Sequence, residues 1–266
     1  MRIACGIEYD GQPFYGFQVQ IQEPTVQSCL EQAISQVANH PVRINCAGRT
    51  DTGVSATLQV IHFETDSNRT AHQWTLGINT AVHNGIVVLW VKFVDEDFHA
   101  RFSATSRSYE YRILNRKVRP AINRHHLTWI LPPLDHSAMH EAVQCLLGTH
   151  DFSAFRSSRC QANHPERTLI LAEISRQGEV ISCKFKANGF LHHMIRNIMG
   201  TLIKVGKGEQ PASWVKQVLE SKDRTQAGMT AAPNGLTFNN VTYPEKYKIP
   251  ILKPRSLSEN RSRSEK

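Results

Sequence analysis

Hydrophobic and polar positions alternate with a period of two from Arg2 to Tyr9, with Ile3, Cys5, Ile7 and Tyr9 on one side and Arg2, Ala4, Gly6 and Glu8 on the other. That pattern predicts a strand ending at the Asp10-Gly11 turn. Beyond Pro24 the period lengthens: Val26, Leu30, Ala33, Ile34 and Val37 share one helical face behind Thr25, a residue suited to an N-cap. Short apolar stretches at 42–46 and 59–64 predict strands, 71–81 a helix, 86–94 a buried strand and 107–114 another strand. A second series follows. Asp135 is placed to cap a helix running to Leu147, and 168–176 and 179–187 form a hairpin across Gln177-Gly178. Residues 190–205 read as a strongly apolar helix, 212–220 as a further helix and 236–241 as a last strand. Two comparable series of mixed elements predict an α+β fold, two halves around an extended, largely antiparallel sheet. The halves are expected at 1–104 and 105–250, followed by a basic Ser/Arg-rich tail, 251–266, whose composition predicts disorder.

Composition narrows the class. Of 266 residues 40% are hydrophobic and 20% charged, a globular balance, and no run of about 18 apolar residues predicts a membrane span. The first ten residues already carry an acid where a secretion signal would still be apolar. Six cysteines are scattered without a CxxC pair, which fits neither a zinc site nor a disulfide framework and predicts reduced thiols in the cytoplasm. The net charge of +8 is localised: +5 falls in 101–119, +3 in 253–266, and the rest of the chain is neutral. Arginines interleaved with aromatics suit a polyanion, because they join phosphate neutralisation to base stacking. A solvated strand face is the plainer alternative.

The sharpest candidate for chemistry is Asp51, in a loop between two predicted strands, flanked by Gly48 and Gly53 and two positions after Arg49. Glycines permit an unusual backbone path and a nearby guanidinium favours an ionised carboxylate. The same residues also fit a simple Asx-turn.

The stretch Ala47-Gly48-Arg49-Thr50-Asp51-Thr52-Gly53-Val54 resembles the active-site loop of the TruA family of tRNA pseudouridine synthases. Further matches run in order: Tyr9-Asp10-Gly11 with Phe14 to Gln20, Trp74 to Asn79, Asp97 to Ala104, Arg107 to Tyr111, Gly148 to Phe152, Asn188 to Asn197, and Gly235-Leu236. The resemblance implies ferredoxin-like, RRM-like halves with a central RNA-binding cleft. It implies that Asp51 is the catalytic aspartate, that Tyr109 stacks on the target base, and that Arg196 pairs with the aspartate. It also implies that Leu236 packs below the base and that Arg49 helps displace it from its stack. Read from the residues alone, Tyr109 is rather a strand aromatic in the core. Phe98, His99, Ala100, Arg101, Phe102, Arg107 and Lys117 are expected to contact RNA, with Arg107 alternatively facing the cleft. The implied reaction is isomerisation of uridine at positions 38 to 40 of the anticodon stem-loop, by a homodimer in which one tRNA touches both subunits.

One position departs from the family, which continues Gly-Val-His-Ala where this chain has Gly53-Val54-Ser55-Ala56. Serine lacks the reach of an imidazole. No cofactor is expected, since the isomerisation is redox-neutral and no nucleotide-binding glycine loop is present. No metal site is expected either, because the neighbours in His125-His126 and His192-His193 point apart on a strand or helix. The competing reading is a non-catalytic RNA-binding module of ferredoxin-like type, for which Asp51 is dispensable.

Overall fold

The computed structural model describes residues 1–21 and 23–250; the predicted disorder of 251–266 lies outside the described residues. Among the described residues ten strands and five α-helices follow in chain order. The first series is β1 (Arg2–Tyr9), α1 (Val26–Ala38), β2 (Ile44–Cys46), β3 (Ser55–Glu64), α2 (Ala71–Ala81) and β4 (Ile86–Val94). The second is β5 (Ser106–Asn115), β6 (Thr128–Ile130), α3 (His136–Val143), β7 (Gly148–Asp151), β8 (Glu166–Gln177), β9 (Val180–Ala187), α4 (Met194–Gly206), α5 (Trp214–Ser221) and β10 (Leu236–Thr242).

The helix starts follow their caps. Thr25 and Ser28 exchange side-chain and backbone hydrogen bonds at the head of α1, and Thr70 and Gln73 do the same at α2. Asp135 accepts from the backbone of Ser137 and Ala138 at α3, which a 3-10 turn extends through Leu146.

All strands join one sheet in the order β4-β1-β3-β10-β5-β9-β8-β7, with β2 beside β3 and β6 beside β5. The pairings are antiparallel except β3 with β10 and β5 with β6. The fold is therefore α+β with one mostly antiparallel sheet, as the periodicity predicts. β10, last in chain order, lies at its centre between β3 and β5. Helices α1 and α2 pack on each other beside β2 and β4, and α3 packs on β8 and α4.

Two elements escaped the sequence reading. β6 and β7 hold three and four residues, too few for a period to show, and exist because β5 and β8 pair with them. One boundary moved. The helix expected from Phe190 begins at Met194, because His193 adopts φ +62°, a left-handed conformation that an α-helix does not contain.

Candidate active site

Asp51 sits in the loop between β2 and β3, held from several elements. Tyr9 Oη lies 2.8 Å from Thr50 Oγ1, Phe17 N–H donates to Thr50 O, and Val54 N–H closes the turn on Asp51 O. The buried Gln59 of β3 accepts from Gly48 N–H and donates to Gly48 O. The loop's backbone polar groups are thus met within the protein, at Gly48 by the Gln59 side chain and at Thr50 and Asp51 by main-chain donors, which leaves the carboxylate to project.

The carboxylate faces the first turn of α4. Arg196 Nη1 donates to Asp51 Oδ2 at 2.9 Å, in a pair whose side chains are 15% and 21% exposed. Arg196 is itself fixed, since its Nε donates to Ala231 O at 2.8 Å while its own carbonyl accepts from Ala231 N–H. His193 Nε2 lies 3.3 Å from Asp51 Oδ2 and His192 Nε2 3.4 Å from Oδ1. The two imidazoles stack with centroids 4.0 Å apart. This corrects the expectation that adjacent histidines diverge. That rule holds inside a helix or strand, whereas this pair occupies the left-handed turn just before α4. Burial pushes the His193 pKa down against the opposing pull of Asp51. Asp51, His192 and His193 bring three potential metal-ligating atoms together. The Arg196 guanidinium puts a permanent cation on the same carboxylate, which opposes a metal ion there.

Tyr109 of β5 is 9% exposed and packs edge-on to Phe190 and Phe238, with centroids 5.1 and 4.8 Å away. Burial, then the nearby Tyr9 and Asp51, raise its pKa, so the phenol stays protonated. Leu236 opens β10 opposite Tyr111, and Leu236, Tyr109, Arg49, Asp51 and Arg196 line one cleft of about 1470 Å³. Arg49 reaches Gln161 Oε1 across it.

The remaining expected RNA contacts divide. His99, Arg101 and Phe102 line the cleft, and the Phe102 ring is 75% exposed. Phe98 and Ala100 are fully buried, Phe98 among Tyr243, Tyr247 and His62, so their side chains belong to the core rather than to a ligand surface. Arg107 lines the cleft, but its guanidinium is spent on the carbonyls of Ala47, Ala104, Asn188 and Arg101. That occupies all five donors, and the side chain takes the cleft-facing alternative. Lys117 is exposed beyond the end of β5 and outside the cleft lining, near Arg116, which pairs with Glu179. Charge that is contiguous in sequence is therefore divided in space. Ser55 is buried and accepts from Gly11 N–H at 2.9 Å, a structural bond that removes it from any RNA surface.

The cleft collects Arg159 and Arg167 as well, so among the described residues six arginines line it and Asp51 is its sole acidic lining residue. Sequence reasoning did not select His192, His193, Arg159 or Arg167 for the site; the quoted Asn188–Asn197 motif contained only the first two.

The profile of a family described as tRNA pseudouridine synthase matches residues 6–103 and 142–244. The tRNA pseudouridine synthase A of Pseudoalteromonas atlantica (strain T6c / ATCC BAA-1087) is 54% identical over 253 residues, 95% of this chain and 96% of that protein. Those of Shewanella woodyi (strain ATCC 51908 / MS32) and Shewanella loihica (strain ATCC BAA-1088 / PV-4) are 50% and 52% identical over 252 residues, 95% of this chain and 97% of each relative.

Proposed function

This chain belongs to the tRNA pseudouridine synthase family, and from that premise we propose that it isomerises uridine to pseudouridine at positions 38, 39 and 40 of the tRNA anticodon stem-loop, with Asp51 as the essential carboxylate. The observation that carries this reading is the Asp51–Arg196 pair, 2.9 Å apart, at the wall of an arginine-lined cleft. The reaction breaks the N1–C1′ bond and makes a C5–C1′ bond; C5 gives up its hydrogen and N1 gains one, so no redox partner enters. What the protein must supply is an oriented carboxylate, a place for an extruded base and a grip on the backbone.

Each has a counterpart. Arg196 holds Oδ2 and leaves Oδ1 as the less engaged oxygen, so the carboxylate is aimed. Tyr109 and Leu236 border the space beside it, where an extruded base stacks. Extrusion costs a few kcal/mol, and stacking of ~1–3 kcal/mol on an aromatic offsets part of it. Arg49 stands at the same wall, placed to occupy the gap a displaced base leaves. On this reading residues 1–104 and 105–250 act as two halves, with β1 to β4 on one side of β10 and β5 to β9 on the other. The protein works in the cytoplasm as a homodimer sharing each tRNA. Six free cysteines agree with a reducing compartment, and no helix among the described residues is long and apolar enough to cross a membrane.

The test is tritium release from tRNA labelled at uridine C5, because that hydrogen is lost only when the base is rejoined through carbon. Asp51→Asn keeps the shape and removes the charge. It should abolish release while tRNA affinity stays within about tenfold, ~1.4 kcal/mol. Substantial release by this variant would remove Asp51 from the chemistry, and absence of release by the wild type would leave an RNA-binding module.

A further inference from the structure

Gln59 is a fully buried amide in β3, beside the equally buried Val60 and Ile61, and the reaction proposed above gives it nothing to do. A buried carboxamide costs free energy unless its donors and its acceptor oxygen are paired. Its hydrogen bonds fall just past the end of β2. Oε1 accepts from Gly48 N–H at 3.3 Å and from Val60 N–H at 3.2 Å, and Nε2 donates to Gly48 O.

The strand register shows what these bonds replace. β2 and β3 pair Ile44 with Phe63, Asn45 with His62 and Cys46 with Ile61, and Ala47 N–H still donates to Val60 O at 2.9 Å. A continued antiparallel ladder would complete that pair with a second bond, from Val60 N–H to Ala47 O. Instead Val60 N–H turns to the Gln59 side chain, and Ala47 O accepts from Arg107 Nε and Nη2. The carboxamide is a wedge at the point where the main chain leaves the sheet, three residues before Asp51. Gly48 also lies close on the aromatic pair of β5 and β10: a Cβ there would stand 3.0 Å from Phe238 Cε2 and 3.7 Å from Tyr109 Oη. Its position therefore sets the gap between the Asp51 loop and the Tyr109 ring. Beyond Gly48, Phe17 N–H on Thr50 O and Val54 N–H on Asp51 O leave little slack in which a shift could be absorbed.

We propose that Gln59 is a positioning residue for the isomerisation: its carboxamide ends the β2–β3 ladder at Gly48 and so sets where the Asp51 carboxylate stands against a base beside Tyr109. This role rests on the reading of Asp51 as the essential carboxylate. Gln59 is buried and acts only through the main chain of the loop.

The experiment compares kcat and KM for tritium release from tRNA labelled at uridine C5, well below the Tm of each variant, with Asp51→Asn alongside. Gln59→Met keeps the length of the side chain and removes its polar atoms. It should lower kcat by about 100-fold, the cost of roughly 1 Å of misplacement, and leave KM within about threefold of the wild type. Gln59→Glu supplies a second readout. A neutral carboxyl can donate to Gly48 O and accept from Gly48 N–H as the amide does; an ionised one cannot donate, and burial raises the pKa of such a group. Its kcat relative to the wild type should be highest near about pH 6 and fall as pH rises toward about 9, reversibly. A residue that merely fills the core would lower Tm in both variants and leave kcat per folded molecule, and its pH profile, at wild-type values. That result with an inactive Asp51→Asn overturns the positioning role alone. Release by Asp51→Asn at the wild-type rate overturns the reading of Asp51, and the role with it. If Gln59→Met does not fold, Gln59→Glu decides: rescue on the acid side supports the role, and a flat ratio to the wild type overturns it.

Discussion

Arg196 is bound twice, to the Asp51 carboxylate through Nη1 and to the Ala231 carbonyl through Nε. Arg196→Met keeps most of the apolar stem and removes both bonds, leaving a partly buried carboxylate without its cation. Loss of one partner of such a pair costs several kcal/mol, so turnover should drop at least ~100-fold, about 2.7 kcal/mol. Tritium release is compared with Tm: a lowered Tm with intact release would make Arg196 a structural part of α4 only. A second residue sets an acid limit on the fold. His62 is 3% exposed and its Nδ1 accepts from Ala100 N–H at 3.1 Å, an arrangement that only the neutral ring can make. Burial, then His99 and Arg2, push its pKa down to about 4 from 6.5. The unfolded chain therefore takes up a proton that the folded protein refuses between those values. The stability contributed by the neutral ring is fully present above pH 6.5 and is lost as pH falls toward 4. The slope should approach ~1.4 kcal/mol per pH unit. His62→Gln, which keeps an acceptor, should flatten that part of the Tm–pH curve. Neither residue's role was legible from spacing. Asp51 and Arg196 were found by motif, and their contact joins positions 145 apart. Phe98 and Ala100 carry the converse lesson, because a motif preserves core residues along with ligand-binding ones.

Elements with a strong period were read well: β1, α2 and β4 have the expected bounds, since one face of each must be buried. The start of α4 was not, and it matters most for the site, because the left-handed turn at His193 is what swings both imidazoles toward Asp51. Apolar residues alone do not reveal such a turn. α4 is fixed further by a close backbone contact one turn after Arg196, on the same face. A Cβ on Gly200 would stand 1.7 Å from Met229 O, and one on Gly228 2.4 Å from Gly200 O. The strap through Ala231 thus lies directly on the helix and carries the carbonyl that holds Arg196. Gly200→Ala should lift that strap, destabilise the protein by at least ~2 kcal/mol, and lower Tm by ~4–8 °C. Turnover should fall with it because Arg196 loses its second anchor. Calorimetry and tritium release on the same sample check both, and a Tm unchanged from wild type would mean that the strap does not bear on α4.

At the scale of the molecule, one sheet with a shared central strand predicts one cooperative unit. Trp74 and Trp90 report from the first series of elements, Trp129 and Trp214 from the second. Urea unfolding followed by fluorescence in a Trp129→Phe/Trp214→Phe variant should share its midpoint with far-UV circular dichroism. Separate midpoints would show that β10 does not couple the two sides. The α+β class was legible because both series alternate strands and helices; the seam was not. Parallel pairing of β3 with β10 rests on only Thr237 with Ser55 and Phe238 with Ala56, and no local pattern announces a contact so distant. That distance has a kinetic consequence. The Thr57 hydroxyl that donates to Asn239 O lies 182 positions from it, so closing the seam is the costliest loop closure in the sheet and should slow folding. During synthesis nine strands leave the ribosome before β10 does, and until it inserts, β3 and β5 present open edges to any other nascent chain. Leu236 reaches its place beside Asp51 only with that insertion. A half-made chain therefore has no finished cleft, and its period of greatest risk is the interval before its central strand arrives.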